Sequence, residues 1–168
     1  VVDMLARNGF LGYRFVIPTV ETTVEFVKQE VSKWSVKPEL VTADKRYDIY
    51  SKTYIAIVAS GTVSAELAMM HVPAIVVYKM NPVTMWLAHR LIKIKWVSLV
   101  NILLKRTVYP ELLGGDVKSE KIIDAFGQLT IPSVRDKMIA DLCSADKMWR
   151  RTNKTASKLV ADNIMDSI

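Results

Sequence analysis

The sequence predicts an α/β fold in which a parallel sheet is covered by helices on both faces. Short apolar runs rich in β-branched residues alternate with segments of helical periodicity through the first half of the chain. The clearest of these runs, residues 55–59, leads through a tight turn directly into a helix, as in a parallel strand–helix–strand unit. Half of the 168 residues are hydrophobic (51%) and 24% are charged, so the chain can bury a core of its own.

The first half of the chain is predicted to contain four strands separated by helices. Residues 13–17 form an apolar run that Pro18 ends, and a helix begins at Thr22 or Thr23. The other predicted elements are a helix end over residues 1–8, a strand over 38–42, a helix over 45–54, a strand over 55–59, a helix over 63–70 and a strand over 74–78. The apolar composition of residues 55–59 predicts a strand buried on both faces.

The second half is richer in helix. Residues 82–92 form an amphipathic segment, residues 96–99 read as a further strand, and residues 101–104 as a loop or short helical turn. After the break at Gly114-Gly115, helices are predicted over 119–129, 132–143 and 145–168. We therefore divide the chain into a lobe over residues 1–144, incomplete at its start, and a terminal helix over residues 145–168. The chain begins with Val in the middle of an element, and we expect it to be a fragment.

The turn after residues 55–59 is the strongest candidate for a binding site. A helix that starts there presents free backbone N–H groups and the positive end of its dipole, which both favour a phosphate. Gly61 lets the backbone approach a ligand, and Glu66 lies about one turn further on, where its carboxylate can accept hydrogen bonds from ribose hydroxyls. These features indicate a nucleotide diphosphate. An ordinary turn, with Ser60 or Thr62 as N-cap and Glu66 supporting the dipole, accounts for the same residues.

The charge and the residue types limit the partners. A net charge of +6 favours anionic ones: nucleotide phosphates, lipid headgroups or nucleic acid. No helix-turn-helix, zinc-finger or RNA-binding motif is recognisable, so nucleic acid is not expected. Cys143 is the single cysteine, and the two histidines, His71 and His89, lie on different predicted elements, so neither a disulfide framework nor a zinc site is expected.

One segment combines aromatic and basic side chains. It contains Trp86, His89, Arg90, Lys93, Lys95 and Trp96. This composition is typical of a segment that touches an anionic membrane surface, with Trp86, Arg90, Lys93 and Lys95 facing the membrane. In the alternative interpretation, Trp86 packs inward with its apolar neighbours and the basic side chains form a solvated rim.

Between residues 57 and 113 the sequence resembles a known family. The matching motifs are, in order, Val58-Ala59-Ser60-Gly61-Thr62, Glu66-Leu67-Ala68, Val72-Pro73, Val77-Tyr78-Lys79-Met80, the run 82–88, Arg90-Leu91-Ile92-Lys93, Val97-Ser98-Leu99, Asn101-Ile102-Leu103-Leu104 and Pro110-Glu111-Leu112-Leu113. In this order and spacing they are similar to the C-terminal half of lipid-A-disaccharide synthase. The earlier run Phe15-Val16-Ile17-Pro18 is also similar to a strand and turn of that family.

The resemblance implies the GT-B fold, two Rossmann-like lobes with the active cleft between them, of which this chain would be the C-terminal, donor-binding lobe. It implies an inverting transfer of 2,3-diacylglucosamine from UDP-2,3-diacylglucosamine to the 6-hydroxyl of 2,3-diacylglucosamine 1-phosphate. The products would be the β-1,6-linked lipid A disaccharide 1-phosphate and UDP, with no metal or other cofactor. The family acts on the cytoplasmic face of the bacterial inner membrane, as a peripheral enzyme.

The resemblance also assigns roles to residues. Ser60, Gly61 and Thr62 would hold the phosphates of UDP, and Glu66 the ribose. The family places its acceptor site and its catalytic acidic residue in the N-terminal lobe, so the general base has no counterpart here. We therefore expect this chain to bind the donor nucleotide and not to turn over by itself.

A second run of residues matches further along. Asn101 corresponds to an asparagine that the family needs for activity, and its amide could hold sugar or phosphate oxygens. For Arg106 and Glu111, a ligand contact and a structural ion pair are both open. Val100 and Lys105 depart from the family, which commonly has proline and glycine there.

Two other functions compete with this one. One is another GT-B enzyme of UDP-sugars, such as a peptidoglycan glycosyltransferase or an epimerase, against which the match over residues 82–113 argues. The other is a non-catalytic basic module that docks on membranes. The terminal helix over 145–168 would cross to the first lobe, join an exchanged homodimer, or cap this lobe as a plain amphipathic helix.

Overall fold

The computed structural model of the protein describes residues 1–79 and 96–150. The strands are β1 (Val16–Thr19), β2 (Glu39–Thr42), β3 (Ala56–Ala59), β4 (Ala74–Tyr78) and β5 (Glu111–Leu113). The α-helices are α1 (Val2–Leu5), α2 (Val24–Val31), α3 (Arg46–Tyr50), α4 (Thr62–Met69), α5 (Leu99–Leu104), α6 (Ser119–Thr130) and α7 (Pro132–Arg150). Short non-α turns follow α1 (Ala6–Phe10), precede α3 (Ala43–Lys45) and follow β5 (Gly114–Asp116).

All strand pairs in these residues are parallel, which confirms the predicted α/β fold class. β1 pairs with β2, and β4 lies between β3 and β5 in a second sheet. The chain returns from β1 to β2 through α2, and from β3 to β4 through α4, because parallel neighbours need a crossover connection. The turn between β3 and α4 therefore lies at the carboxyl end of its sheet, where ligands of such folds bind.

The core lies between the β3-β4-β5 sheet and the helices that pack against it, mainly α4, α6 and α7. β4 is its central strand, and residues 74–76 are fully buried. The largest side chains with less than 2% exposure are Tyr109, Leu5, Leu67, Ile75, Leu129 and Leu142. Burying an aliphatic side chain of this size contributes about 1.5–3 kcal/mol each, so this cluster is the main source of stability.

Two predictions about the strands of the first half were wrong. Pro18 does not end β1 but lies inside it, opposite Val41. Among the described residues β1 pairs with β2 alone, and a missing N–H is tolerated on the unpaired side of a strand. β3 is not buried on both faces: Val58 packs against the core, whereas Ile57 is 37% exposed. β3 is at the edge of its sheet, where alternate side chains point away from the core.

The second half differs from the prediction in three places. Trp96 and Val97 form no strand, and a helix, α5, begins at Leu99. β5 was not predicted; it pairs with β4 over only three residues. The two helices predicted over 132–143 and from 145 onwards are one continuous helix through residue 150.

Some predictions fall outside the described residues. These are the amphipathic segment over 82–92, the remainder of the terminal helix over 151–168, and the membrane-facing candidates Trp86, Arg90, Lys93 and Lys95. The division of the chain at residue 144 stays a prediction. In the two described ranges, no helix has the length and apolarity to cross a membrane.

Asp3 fastens α1 to the segment that leads into β2. Its carboxylate accepts hydrogen bonds from the N–H groups of Val36 (2.9 Å) and Ser35 (3.0 Å), and these lower the pKa of Asp3 below its ordinary 3.8. A carboxyl with a lowered pKa stabilises the fold above its unfolded pKa and loses that contribution as the pH falls through the folded pKa.

We therefore expect Asp3→Asn to lower the free energy of unfolding at neutral pH, and the difference from the wild type to shrink below about pH 4. Urea unfolding of both proteins over a pH series measures this. A difference that stays constant down to acid pH would contradict the assigned role of the Asp3 charge.

Candidate nucleotide site

The turn between β3 and α4 has a conformation that requires glycine. Gly61 has φ +147° and ψ −160°, a region that other residues rarely adopt. Gly61 itself is the N-cap residue of α4, and no side chain of the described residues caps the helix, so neither Ser60 nor Thr62 acts as the N-cap. A Cβ built on Gly61 would meet no heavy atom of residues 1–79 or 96–150 within 4 Å. The start of α4 is thus uncapped beside open space, as an anion site requires.

Two serine hydroxyls fix the backbone of this turn. Ser60 Oγ donates to the carbonyl of Val97 (3.1 Å), and Ser64 Oγ donates to the carbonyl of Gly61 (2.6 Å). Ser64 is 2% exposed, and sequence reasoning missed it. The one sign of Ser64 in the sequence is that a hydroxyl side chain lies on the same face of α4 as the buried apolar residues Leu67 and Ala68. Thr62, the first residue of α4, is exposed.

Glu66 lies on the side of α4 that faces α3. Its Oε1 accepts a hydrogen bond from the Tyr47 hydroxyl (3.3 Å), and its Oε2 lies 3.4 Å from Arg46 Nε. That second contact is an ion pair without hydrogen-bond geometry, so the buried Oε2 has no hydrogen-bond donor among the described residues. Oε2 is thus compensated by the Arg46 charge but keeps acceptor capacity, which a ribose hydroxyl would use.

Arg46 and Tyr47 complete this side of the site, and sequence reasoning missed both. The Arg46 guanidinium lies 4.5 Å from the centroid of the Tyr47 ring and donates to its hydroxyl (3.1 Å). This hydrogen bond, with the nearby charge of Glu66, raises the pKa of Arg46, which therefore stays positively charged. Tyr47 is 47% exposed, so an aromatic surface and a cation lie next to the Glu66 carboxylate. No spacing rule connects positions 46 and 47 to position 66.

Asn101 is fully buried, and its amide is fully occupied. Nδ2 donates to the carbonyl of Tyr109 (2.8 Å) and to Glu111 Oε1 (2.8 Å). Oδ1 accepts from the N–H groups of Val108 (2.7 Å) and Tyr109 (2.9 Å). A side-chain amide has two N–H donors and two acceptor positions, and all four are used. The geometry therefore does not support the expected contact between this amide and sugar or phosphate oxygens.

Glu111 and Arg106 do not pair with each other. The Glu111 carboxylate accepts from the N–H of Val97 (2.9 Å), the N–H of Ser98 (2.9 Å) and the Ser98 hydroxyl (2.7 Å), in addition to Asn101. Arg106 forms a bidentate ion pair with Asp141, in which Nη2 lies 2.7 Å from Oδ1 and Nη1 lies 2.9 Å from Oδ2. The structural interpretation of Arg106 thus fits the geometry, with a partner that the sequence did not indicate.

At Lys105 the chain departs from the family pattern but keeps the backbone conformation that glycine favours. It ends α5 with φ +51° and ψ +32°, in the left-handed region. Glycine adopts this conformation most easily, which is why it is the usual residue just after a helix. The loop therefore keeps the left-handed turn although a lysine replaces the glycine that the family commonly has.

A wide apolar groove lies on the other side of α4. It has a volume of about 360 Å³ and is lined by Ala65, Met69, Leu99, Ile102, Leu103 and Trp149. None of these lining residues is charged, so a phosphate is expected at the start of α4 and not in this groove.

The expectation that no metal is needed remains a prediction. Within residues 1–79 and 96–150, no three His, Cys, Asp or Glu side chains come together in a way that could hold a metal ion. His71, in the turn before β4, has its Nε2 3.6 Å from Oδ2 of Asp146, which lies on α7.

Comparisons with known proteins agree with the motifs. A model of a family described as lipid-A-disaccharide synthetase matches residues 5–161. The lipid-A-disaccharide synthase of Paramagnetospirillum magneticum is 35% identical over 170 residues, covering 99% of this chain and 43% of that protein. The synthase of Rhodospirillum centenum is 33% identical, over 99% of this chain and 42% of that protein. That of Granulibacter bethesdensis is 40% identical over 109 residues, 64% of this chain and 28% of that protein.

The chain thus spans less than half the length of these relatives. The matched residues include both the turn between β3 and α4 and the buried network around Asn101 and Glu111. Since the family match covers nearly the whole chain and the relatives exceed 30% identity, the chain belongs to the lipid-A-disaccharide synthetase family.

Proposed function

We propose that this chain is the UDP-binding half of an inverting glycosyltransferase of lipid A biosynthesis. The enzyme would transfer 2,3-diacylglucosamine from UDP-2,3-diacylglucosamine to 2,3-diacylglucosamine 1-phosphate. The observation that carries this proposal is the uncapped start of α4 at Gly61, with the Glu66 carboxylate one turn further on. The family membership supports the choice of substrates.

In the proposed reaction, the 6-hydroxyl oxygen of the acceptor attacks the anomeric carbon of the donor sugar. The bond from that carbon to the diphosphate oxygen breaks, UDP leaves with the electron pair, and the hydroxyl proton passes to a base. Fixed backbone N–H groups at the start of α4 would stabilise the negative charge that develops on the diphosphate, without a metal ion. Glu66 would hold the ribose. We assign no base in this chain, so turnover would require the other half of the enzyme.

We also propose that the enzyme is peripheral on the cytoplasmic face of the inner membrane. Its substrates carry acyl chains and stay in the membrane, and the charge of +6 favours contact with an anionic surface. A homodimer formed through residues 145–168 stays a prediction.

Calorimetric titration of this chain with UDP tests the proposal, with Glu66→Ala as the key variant. A hydrogen bond to a charged group contributes about 1.5–3 kcal/mol, so the loss of the carboxylate is expected to raise the Kd by roughly 10- to 100-fold. Asp136→Ala is the matched control, because it removes an equal charge from an exposed position near the start of α7. Its Kd should equal that of the wild type.

The result distinguishes the competing functions. A folded chain that binds anionic vesicles with strong salt dependence and ignores UDP would be a docking module, and the proposal would be wrong. Equal UDP affinity of the wild type and Glu66→Ala would contradict the assigned role of Glu66. Competition separates the enzyme classes: UDP-2,3-diacylglucosamine should displace UDP more effectively than UDP-N-acetylglucosamine does, and the reverse order would indicate another UDP-sugar enzyme.

A further inference from the structure

We infer that Glu111 is a positioning residue for the turn between β3 and α4, through a chain of hydrogen bonds that we call the positioning network. It consists of Glu111, Asn101, Ser98, Val97 and Ser60. The inference rests on the proposed function for the identity of the ligand. The geometry that carries it does not depend on any ligand.

The network starts from a rigid element. Glu111 is the first residue of β5, and its backbone pairs in register with Val76 of β4, which is fully buried. Next to it, the Tyr109 hydroxyl donates to the carbonyl of Val72 (2.8 Å) in the core. The position from which the Glu111 side chain projects is thus set by the centre of the sheet.

The carboxylate holds a segment that has no regular backbone pairing. Val97 and Ser98 belong to neither a strand nor a helix, yet the N–H groups of both donate to Glu111, as does the Ser98 hydroxyl. Hydrogen bonds to an ionised acceptor are stronger than neutral ones. Asn101 holds the same carboxylate through its amide, so Glu111 Oε1 accepts three hydrogen bonds and Oε2 one.

The segment in turn holds the nucleotide turn. The carbonyl of Val97 accepts the hydrogen bond from Ser60 Oγ, 37 residues away in sequence. Ser60 precedes Gly61, whose lack of a side chain would otherwise leave the turn many conformations. A site binds its ligand more tightly when its donors are held in place beforehand. Glu111 and Asn101 therefore act on the ligand through Ser60, without touching it.

The first test measures the unliganded chain. Glu111→Gln keeps the shape of the side chain but replaces one acceptor oxygen with an NH₂ group, which cannot accept from Val97 or Ser98. We expect amide hydrogen exchange to become at least about tenfold faster over residues 60–64 and 97–98, and to stay unchanged in α6. Glu120→Gln, the same change at an exposed position of α6, is the control. It should leave exchange unchanged over both residues 60–64 and residues 97–98.

The second test is a double-mutant cycle on UDP affinity with Ser60→Ala. Glu111→Gln should raise the Kd about tenfold, and adding Ser60→Ala should raise it by less than Ser60→Ala does alone, because both act along one path. Additive effects would overturn the path through Ser60. Unchanged exchange over residues 60–64 in folded Glu111→Gln would overturn the inference as a whole.

The experiments distinguish a wrong ligand from a wrong positioning role. If the wild type does not bind UDP but Glu111→Gln speeds exchange over residues 60–64, the proposed ligand is wrong and the positioning role stands. If Glu111→Gln fails to fold, Ser60→Ala alone tests the same coupling from the other end. It should speed exchange at residues 97–98, and unchanged exchange there would overturn the inference.

Discussion

Gly61→Ala is expected to raise the Kd for UDP by at least about tenfold while the chain stays folded. An alanine at φ +147° and ψ −160° is strained by about 1–3 kcal/mol, which the turn can relieve only by rotating its peptide groups. That rotation moves the N–H groups that we assign to the phosphates. The added Cβ meets no atom within 4 Å in the part of the chain that the structure describes, so the core around α4 is not disturbed. Calorimetry with UDP, alongside a thermal unfolding curve, measures both consequences.

Gly12→Ala is the matched control for this variant. A Cβ at Gly12 also meets no heavy atom of the described residues within 4 Å, but Gly12 does not have a positive φ and lies before β1, not after a strand end. The same substitution there should leave UDP affinity unchanged. If Gly61→Ala and Gly12→Ala bind UDP equally well, the turn between β3 and α4 is not the phosphate site.

Asn101→Ala is expected to lower the free energy of unfolding by about 3–5 kcal/mol, a large effect for one side chain. The substitution leaves the N–H groups of Val108 and Tyr109, the carbonyl of Tyr109 and one Glu111 contact without their partner in a fully buried place. Each buried polar group left without a partner costs about 1–3 kcal/mol, although the separate costs do not simply add.

Urea unfolding monitored by circular dichroism measures this loss. Asn8→Ala is the control, since Asn8 is exposed and its side chain makes one hydrogen bond within the described residues, to the carbonyl of Met4 (2.8 Å). It should lower the free energy of unfolding by about 1 kcal/mol or less. Similar losses in the two variants would contradict the structural role of Asn101. That role would also explain low activity of an Asn101 variant without any substrate contact.

The strand–turn–helix unit around Gly61 could be read from the sequence because its signals are local. An apolar β-branched run predicts β3, Gly61 marks the turn, and α4 follows within a few residues. Glu66 could be placed near the turn for the same reason, since the rise of a helix fixes the distance between positions four residues apart. The parallel sheet followed from the alternation of strands and helices.

The partners of the site residues were decided by the tertiary structure. Tyr47 contacts Glu66 across 19 residues of sequence, and Arg106 pairs with Asp141 across 35. Neither distance corresponds to a helical or strand period. Contacts of this kind depend on how α3 and α7 pack, and no local pattern encodes that packing.

Asn101 and Glu111 show the same contrast between local sequence signals and tertiary packing. Their match to the family motif was visible in the sequence. The direction in which the Asn101 amide and the Glu111 carboxylate point was not. That direction depends on β5, a strand of three residues that carries too short a pattern to predict and forms because β4 offers it an edge. The sequence by itself thus determined the fold class and the turn that we propose binds the ligand. The packing of β5 against β4 decided that Asn101 and Glu111 support that turn from within the core, because buried hydrogen bonds form only where distant segments meet.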